Sequence, residues 1–180
     1  MTATENLEND HVHILRLCDV MMKMTEKETD TTDIETVVSL IRNFADGLHH
    51  KKEEDLLFPK MAEKGFSPVQ GPVAVMLMEH ETGRKFVRGI ADNIALLKSG
   101  DSAALANIRS NMTGYADLLR NHIAKENNIL FRMADNALTE GEQQNLVDQF
   151  SLAENSLPAG ISAAGFVDQI DTLAKKYLNV

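Results

Sequence analysis

The stretch His49-His50-Lys51-Lys52-Glu53-Glu54-Asp55-Leu56-Leu57-Phe58 has a counterpart further along, His122-Ile123-Ala124-Lys125-Glu126-Asn127-Asn128-Ile129-Leu130-Phe131. Both follow one frame: a His, a Glu four residues on, and a Leu-Phe pair four residues after that. On a helix, residues four apart share a face, with Cβ atoms about 5–6 Å apart. An imidazole and a carboxylate so placed can reach one metal ion, or the carboxylate can bridge two. One such His-x3-Glu is weak evidence, because surface helices produce many. Two copies, each ending in the same apolar pair, form a repeat that carries chemistry and requires helices.

Each copy has a lone His upstream: His11 stands 38 residues before His49, and His80 stands 42 before His122. The chain therefore reads as two similar helical hairpins. Apolar residues recur at three- and four-residue spacing throughout, and no long stretch alternates with period two. The first helix is expected over Glu5 to Glu28. Thr32 and Glu35 suggest a capping box for the second, which runs to Glu63, with Pro59 ending or bending it. Ser67-Pro68 and Gly71-Pro72 mark a break. The third helix ends at Lys98 with Gly100 as its cap. The fourth starts after Asp101 or Ser102 and reaches Asn136. The fold class is all-α: an up-and-down four-helix bundle over residues 1–136. Residues 137–180 read as a C-terminal helical extension packed on the bundle. Thr139 and Glu142 make its capping box, Asn155 to Gly165 its loop, and Phe166 to Leu178 its last helix.

Composition bounds the chemistry. The chain has 180 residues, 43% of them hydrophobic, with net charge −9, six His, nine Met, one Cys and no Trp. One Cys excludes an internal disulfide framework and a Cys-rich zinc or iron–sulfur site. The acidic balance argues against nucleic acid, whose phosphates need clustered Lys and Arg. The N-terminus lacks the basic and apolar regions of a secretory signal. No apolar run approaches the roughly 20 residues of a membrane span. A cytoplasmic protein, with no nucleic acid or membrane as partner, is the expectation.

Four of the six His fall on apolar faces. His11 lies with Leu7, Ile14, Leu15, Cys18 and Met22, and His80 with Val73, Met76, Leu77, Val87 and Ala91. His122 lies with Leu118, Leu119, Ile129 and Leu130. His49 aligns with Ile41 and Ala45, whereas His50 aligns with Arg42, Asn43 and Asp46. His49 is thus expected in the core, and His50 with Glu54 at the margin or outside. His13 falls about 200° around the helix from His11 and is expected to be ordinary. Cys18 reads as a small buried hydrophobe. Buried together, four imidazoles and two carboxylates would be costly without partners. A bound dication removes that cost.

These motifs resemble the hemerythrin-like family, the HHE cation-binding domains, with the pattern H…HxxxE…H…HxxxE. The matching stretches are Asn9-Asp10-His11, His49 to Glu54 with Leu57-Phe58-Pro59, Met78-Glu79-His80-Glu81, and His122 to Glu126 with Leu130-Phe131. The resemblance covers residues 5 to 136. It implies two non-haem irons in a four-helix bundle. His11, His49, His80 and His122 would be terminal ligands, and Glu53 and Glu126 bridges. Oxygen-carrying members have a further His four residues after the third-helix ligand, where this chain has Arg84, and an Asp as second bridge, five residues after its His. Both departures point to the bacterial branch similar to iron-cluster repair proteins, linked to nitric oxide, peroxide or iron stress. Two His and two bridging carboxylate oxygens give each iron four donors. An oxo or hydroxo bridge makes five, leaving one open position on each metal. Tyr115 shares the His122 face, seven residues before it, and is a candidate additional ligand. Its alternative is a packed aromatic with its hydroxyl bonded elsewhere.

Three function classes stay open: a di-iron oxidoreductase acting on O2, peroxide or NO; a non-catalytic iron, O2 or NO binding or sensing module with the C-terminal segment as output; and a metal-free helical interaction protein. A small diatomic or peroxide ligand is the expected partner, and a homodimer is compatible with the sequence. Manganese and zinc suit the same donors as iron.

Overall fold

In the computed structural model, which describes residues 1–178, helices are joined by short loops and the described residues include no strand. Helix α1 spans Ala3–Glu26. Helix α2 covers residues 31–63 as one continuous rod: α-helical Thr31–Leu40, π-helical Ile41–His50 and Glu53–Leu57, and α-helical Phe58–Glu63. Helix α3 is Pro72–Lys98. Helix α4 covers residues 103–137, with a π-helical stretch at Glu126–Leu130. Helices α5, Glu140–Asn155, and α6, Ala163–Tyr177, follow. The first four form the up-and-down bundle, and α5 and α6 pack on it; residues 179–180 of the predicted extension lie outside the described residues.

The punctuation follows local chemistry. Thr139 and Glu142 form the expected reciprocal capping box, and Thr2 with Glu5 forms another at the start of α1. The box expected of Thr32 and Glu35 does not form: α2 begins two residues earlier, with Asp30 as N-cap and no side-chain cap bond. Pro59 does not end α2. It sits in the first turn after the π-helical stretch, where the backbone ladder is already out of α register, so its missing N–H interrupts little. Gly100, with φ at 97°, follows the C-cap of α3, in the left-handed conformation that glycine adopts most readily. Helices α3 and α4 approach closely because Gly114 has no side chain: a Cβ there would lie 2.5 Å from the Phe86 ring.

The core divides in two. One apolar cluster joins Ile14, Leu17, Phe44, Ile90, Ile108 and Leu119. The other joins Leu7, Leu57, Phe58, Val73, Leu130 and Phe131. Phe166, Ile170 and Tyr177 of α6 complete the first cluster, and Leu146 and Phe150 of α5 the second. On α1, His11 stands between Leu7 of one cluster and Ile14 of the other. The His and Glu residues thus form a polar layer between two apolar plugs. No described helix is long and apolar enough to cross a membrane.

Candidate metal centre

His11, His49, His80, His122, Glu53 and Glu126 meet in that layer, each at most 1% exposed. Helix α1 supplies His11, α2 His49 and Glu53, α3 His80, and α4 His122 and Glu126. The ring nitrogens pair across helices: His11 Nε2 stands 3.0 Å from His49 Nε2, and His80 Nε2 stands 3.1 Å from His122 Nε2. Each carboxylate spans both pairs. Glu126 places Oε2 3.2 Å from His11 Nε2 and Oε1 3.2 Å from His122 Nε2. Glu53 places Oε1 3.6 Å from His49 Nε2 and Oε2 3.5 Å from His80 Nε2.

The far side of each ring fixes its tautomer. His49 Nδ1 faces Asp10 Oδ2 at 3.3 Å, and His80 Nδ1 faces Glu54 Oε1 at 2.6 Å. His122 Nδ1 faces Glu79 Oε2 at 3.0 Å, and His11 Nδ1 faces Asn127 Oδ1 at 2.7 Å. Every such partner is an acceptor, so each Nδ1 donates and each Nε2 turns a lone pair inward. Two lone pairs about 3 Å apart repel unless a cation lies between them. That separation suits two donors about 2.1 Å from one ion at a right angle. None of the four Glu53 and Glu126 oxygens makes a hydrogen bond. Each buried polar atom left so costs about 1–3 kcal/mol. The donor set therefore fits a metal site.

Electrostatics are uneven across the layer: burial lowers the His122 pKa, but Glu126 and Glu79 outweigh it and raise it. Burial, followed by the facing Glu126, raises the Glu53 pKa well above the usual carboxylate range. Burial acts on Glu126 in the same sense, but His122 and His11 outweigh it and hold Glu126 well below. Two carboxylates this close do not ionise together cheaply. Burial pushes His49 down to about 3 against the pull of Asp10. A neutral imidazole is the form that ligates metal.

The two halves obey a pseudo-twofold relation that extends beyond the ligands. Phe58 of the first hairpin stacks on His80 of the second, and Phe131 of the second on His11 of the first. Asp10, just before His11, orients His49; Glu79, just before His80, orients His122. Lys52 donates to Asp10, and Lys125 to Glu79. These orienting residues were not singled out by sequence reasoning. The repeat contained the signal, an acidic residue before each upstream His and a Lys three residues into each His-x3-Glu frame.

Two expectations are corrected. His50 is not at the margin: it is 3% exposed, and its ring stacks on His80 with centroids 3.8 Å apart. The π-helical stretch Ile41–His50 explains this. Its turns are wider, each residue rotates less than in an α-helix, and consecutive His49 and His50 both face inward. Ile129 is 53% exposed, not buried, for the same reason within Glu126–Leu130. Cys18 is fully buried, with its thiol pushed up to about 12 by burial. Tyr115 is buried with an unpartnered hydroxyl. It lines a cavity of about 260 Å³ that also touches His50, His80, Arg42, Arg84 and Arg88.

A family model described as the Hemerythrin HHE cation binding domain matches residues 2–134. An uncharacterized protein of Mycobacterium tuberculosis is 20% identical over 179 residues, covering 97% of this chain and 68% of that protein. A Mycobacterium bovis counterpart matches equally. The iron-sulfur cluster repair protein YtfE of Escherichia coli O157:H7 is 26% identical over 130 residues, covering 68% of this chain and 59% of that protein. No solved structure matches significantly.

Proposed function

The chain belongs to the hemerythrin HHE cation-binding family, and from that premise we propose that it holds a non-haem di-iron centre used in redox chemistry on O2, peroxide or NO. His11 and His49 would hold one iron and His80 and His122 the other, with Glu53 and Glu126 as the carboxylates shared between them. The observation that carries this is the inward set of acceptors: paired Nε2 atoms 3.0 and 3.1 Å apart, their Nδ1 atoms committed elsewhere, facing four unbonded carboxylate oxygens.

A bound iron pair supplies electrons to a small oxidant and polarises it. The chain's own residues do the rest. Asp10, Glu54, Glu79 and Asn127 keep a proton on each Nδ1 and so keep each Nε2 free to bind metal. The two apolar plugs exclude water from either end, which strengthens every charge interaction in the layer. The similarity to a protein named for iron-sulfur cluster repair supports an iron-linked role. Anaerobic reconstitution with Fe(II), then optical spectra on adding O2, H2O2 or NO, tests the reading. Turnover of peroxide or NO supports it. Reversible, stoichiometric O2 binding without turnover contradicts it.

One observation favours a sensing role as second reading. Glu154 of α5 binds Lys52, which binds Asp10, which orients His49. Helix α5 thereby reaches the residues around His49.

A further inference from the structure

The pseudo-twofold relation between the hairpins fails at one inward-facing position. His50 follows His49 as Ile123 follows His122, and both are buried. The second half fills that position with an apolar side chain, so packing alone does not demand an imidazole there. His50 also has what His49, His80 and His122 have. Its Nδ1 faces a carboxylate, Asp46 Oδ1, at 3.3 Å. Asp46 is held in turn by Arg84, whose Nε donates to it at 2.9 Å. Arg84 Nη2 also donates to Glu54 Oε1, the carboxylate that orients His80. One guanidinium thus sets the rings of both His50 and His80. With Nδ1 committed to Asp46, His50 Nε2 is left buried with no hydrogen-bond partner. Donor atoms of His50, Glu53, His80 and His122 all lie within 4.8 Å of one another, the same closeness as in the group His11, His49, Glu53 and Glu126.

We propose that His50 is a fifth imidazole ligand, completing the metal position shared by His80 and His122. This rests on the two-metal reading of the site. Its consequence is asymmetry. The His80–His122 position gains a third nitrogen and loses its open place, while the His11–His49 position keeps one. A small oxidant then binds at the His11–His49 metal.

The test uses Co(II) titrated anaerobically into the metal-free full chain, in the wild type and in His50→Ile, which copies Ile123. Both proteins take up about two Co(II) per chain. In His50→Ile one of the two is held at least ~10-fold more weakly against a competing chelator. Its visible d–d absorption rises, as expected when a six-coordinate ion becomes five-coordinate. In a second variant, His50→Ala, added imidazole restores the wild-type spectrum, a rescue that a purely structural role would not give. Unchanged Co(II) affinity and spectrum in His50→Ile, or no imidazole rescue in a folded His50→Ala, overturns the ligand role alone. A wild-type chain that takes up no Co(II) overturns the two-metal reading with it.

Discussion

Lys52 Nζ, on α2, donates to Glu154 of α5 at 2.5 Å and to Asp10 of α1 at 3.1 Å, with no part of its side chain exposed. Its pseudo-twofold mate Lys125 makes the equivalent bond to Glu79 but is 38% exposed. Helix α5 covers one of two otherwise similar ion pairs.

The two lysines should therefore differ sharply on truncation. Lys52→Ala leaves two carboxylates without their cation beneath α5, and removing one partner of a buried pair costs about 3–5 kcal/mol. Lys125→Ala breaks a half-exposed pair and should cost under about 1 kcal/mol. Urea unfolding of the metal-free proteins measures both. Equal losses would show that α5 does not bury Lys52 in solution.

The same pseudo-symmetry shows what the sequence made legible. His11, His49, His80, His122, Glu53 and Glu126 were readable because each lies on an apolar stripe at helical spacing. The bundle followed from the same period, with Gly100 and the breaks at Ser67-Pro68 and Gly71-Pro72 as punctuation. His50 and Ile129 were misread because extrapolation at 100° per residue fails across π-helical turns, and no local residue pattern announces such turns. Asp10, Glu79, Lys52 and Lys125 were present in the repeat. Their work appears only when α1 lies beside α2 and α3 beside α4.

Docking of α6 depends on pH through Asp33. Asp33 accepts from Lys176 at 2.6 Å and from Tyr177 at 2.5 Å. Burial raises its pKa, but those two bonds outweigh it and lower the pKa. A carboxyl lowered on folding contributes stability above its unfolded pKa of about 3.9, and that contribution is lost as pH falls through the lower folded value. Hydrogen exchange in α6 should therefore be slower in the wild type than in Asp33→Asn at neutral pH. The difference should shrink below about pH 4. A difference that is absent at pH 7 would remove Asp33 from the docking contact.

Tyr115 is the residue whose metal role is least supported. Its hydroxyl is unpartnered, but burial raises its pKa well above the usual phenol value, which disfavours phenolate. Tyr115→Phe should leave the visible spectrum of the diferric protein unchanged. Loss of an intense charge-transfer band in that variant would make Tyr115 a ligand.

Cys18 should behave as a core atom. With its thiol pushed up to about 12 and the side chain fully buried, it should resist a thiol reagent at pH 8 in the native protein and react on unfolding. Prompt native-state labelling would contradict the packing of α1 against α4.

A two-iron site between the hairpins would show first in the metal content of the purified protein. Full-length protein from iron-supplemented cells should carry about two irons per chain. Glu53→Ala, which removes one bridge, should carry clearly fewer while staying helical. Iron-free wild-type protein that also takes up none on anaerobic Fe(II) reconstitution would rule out a metal site between the hairpins.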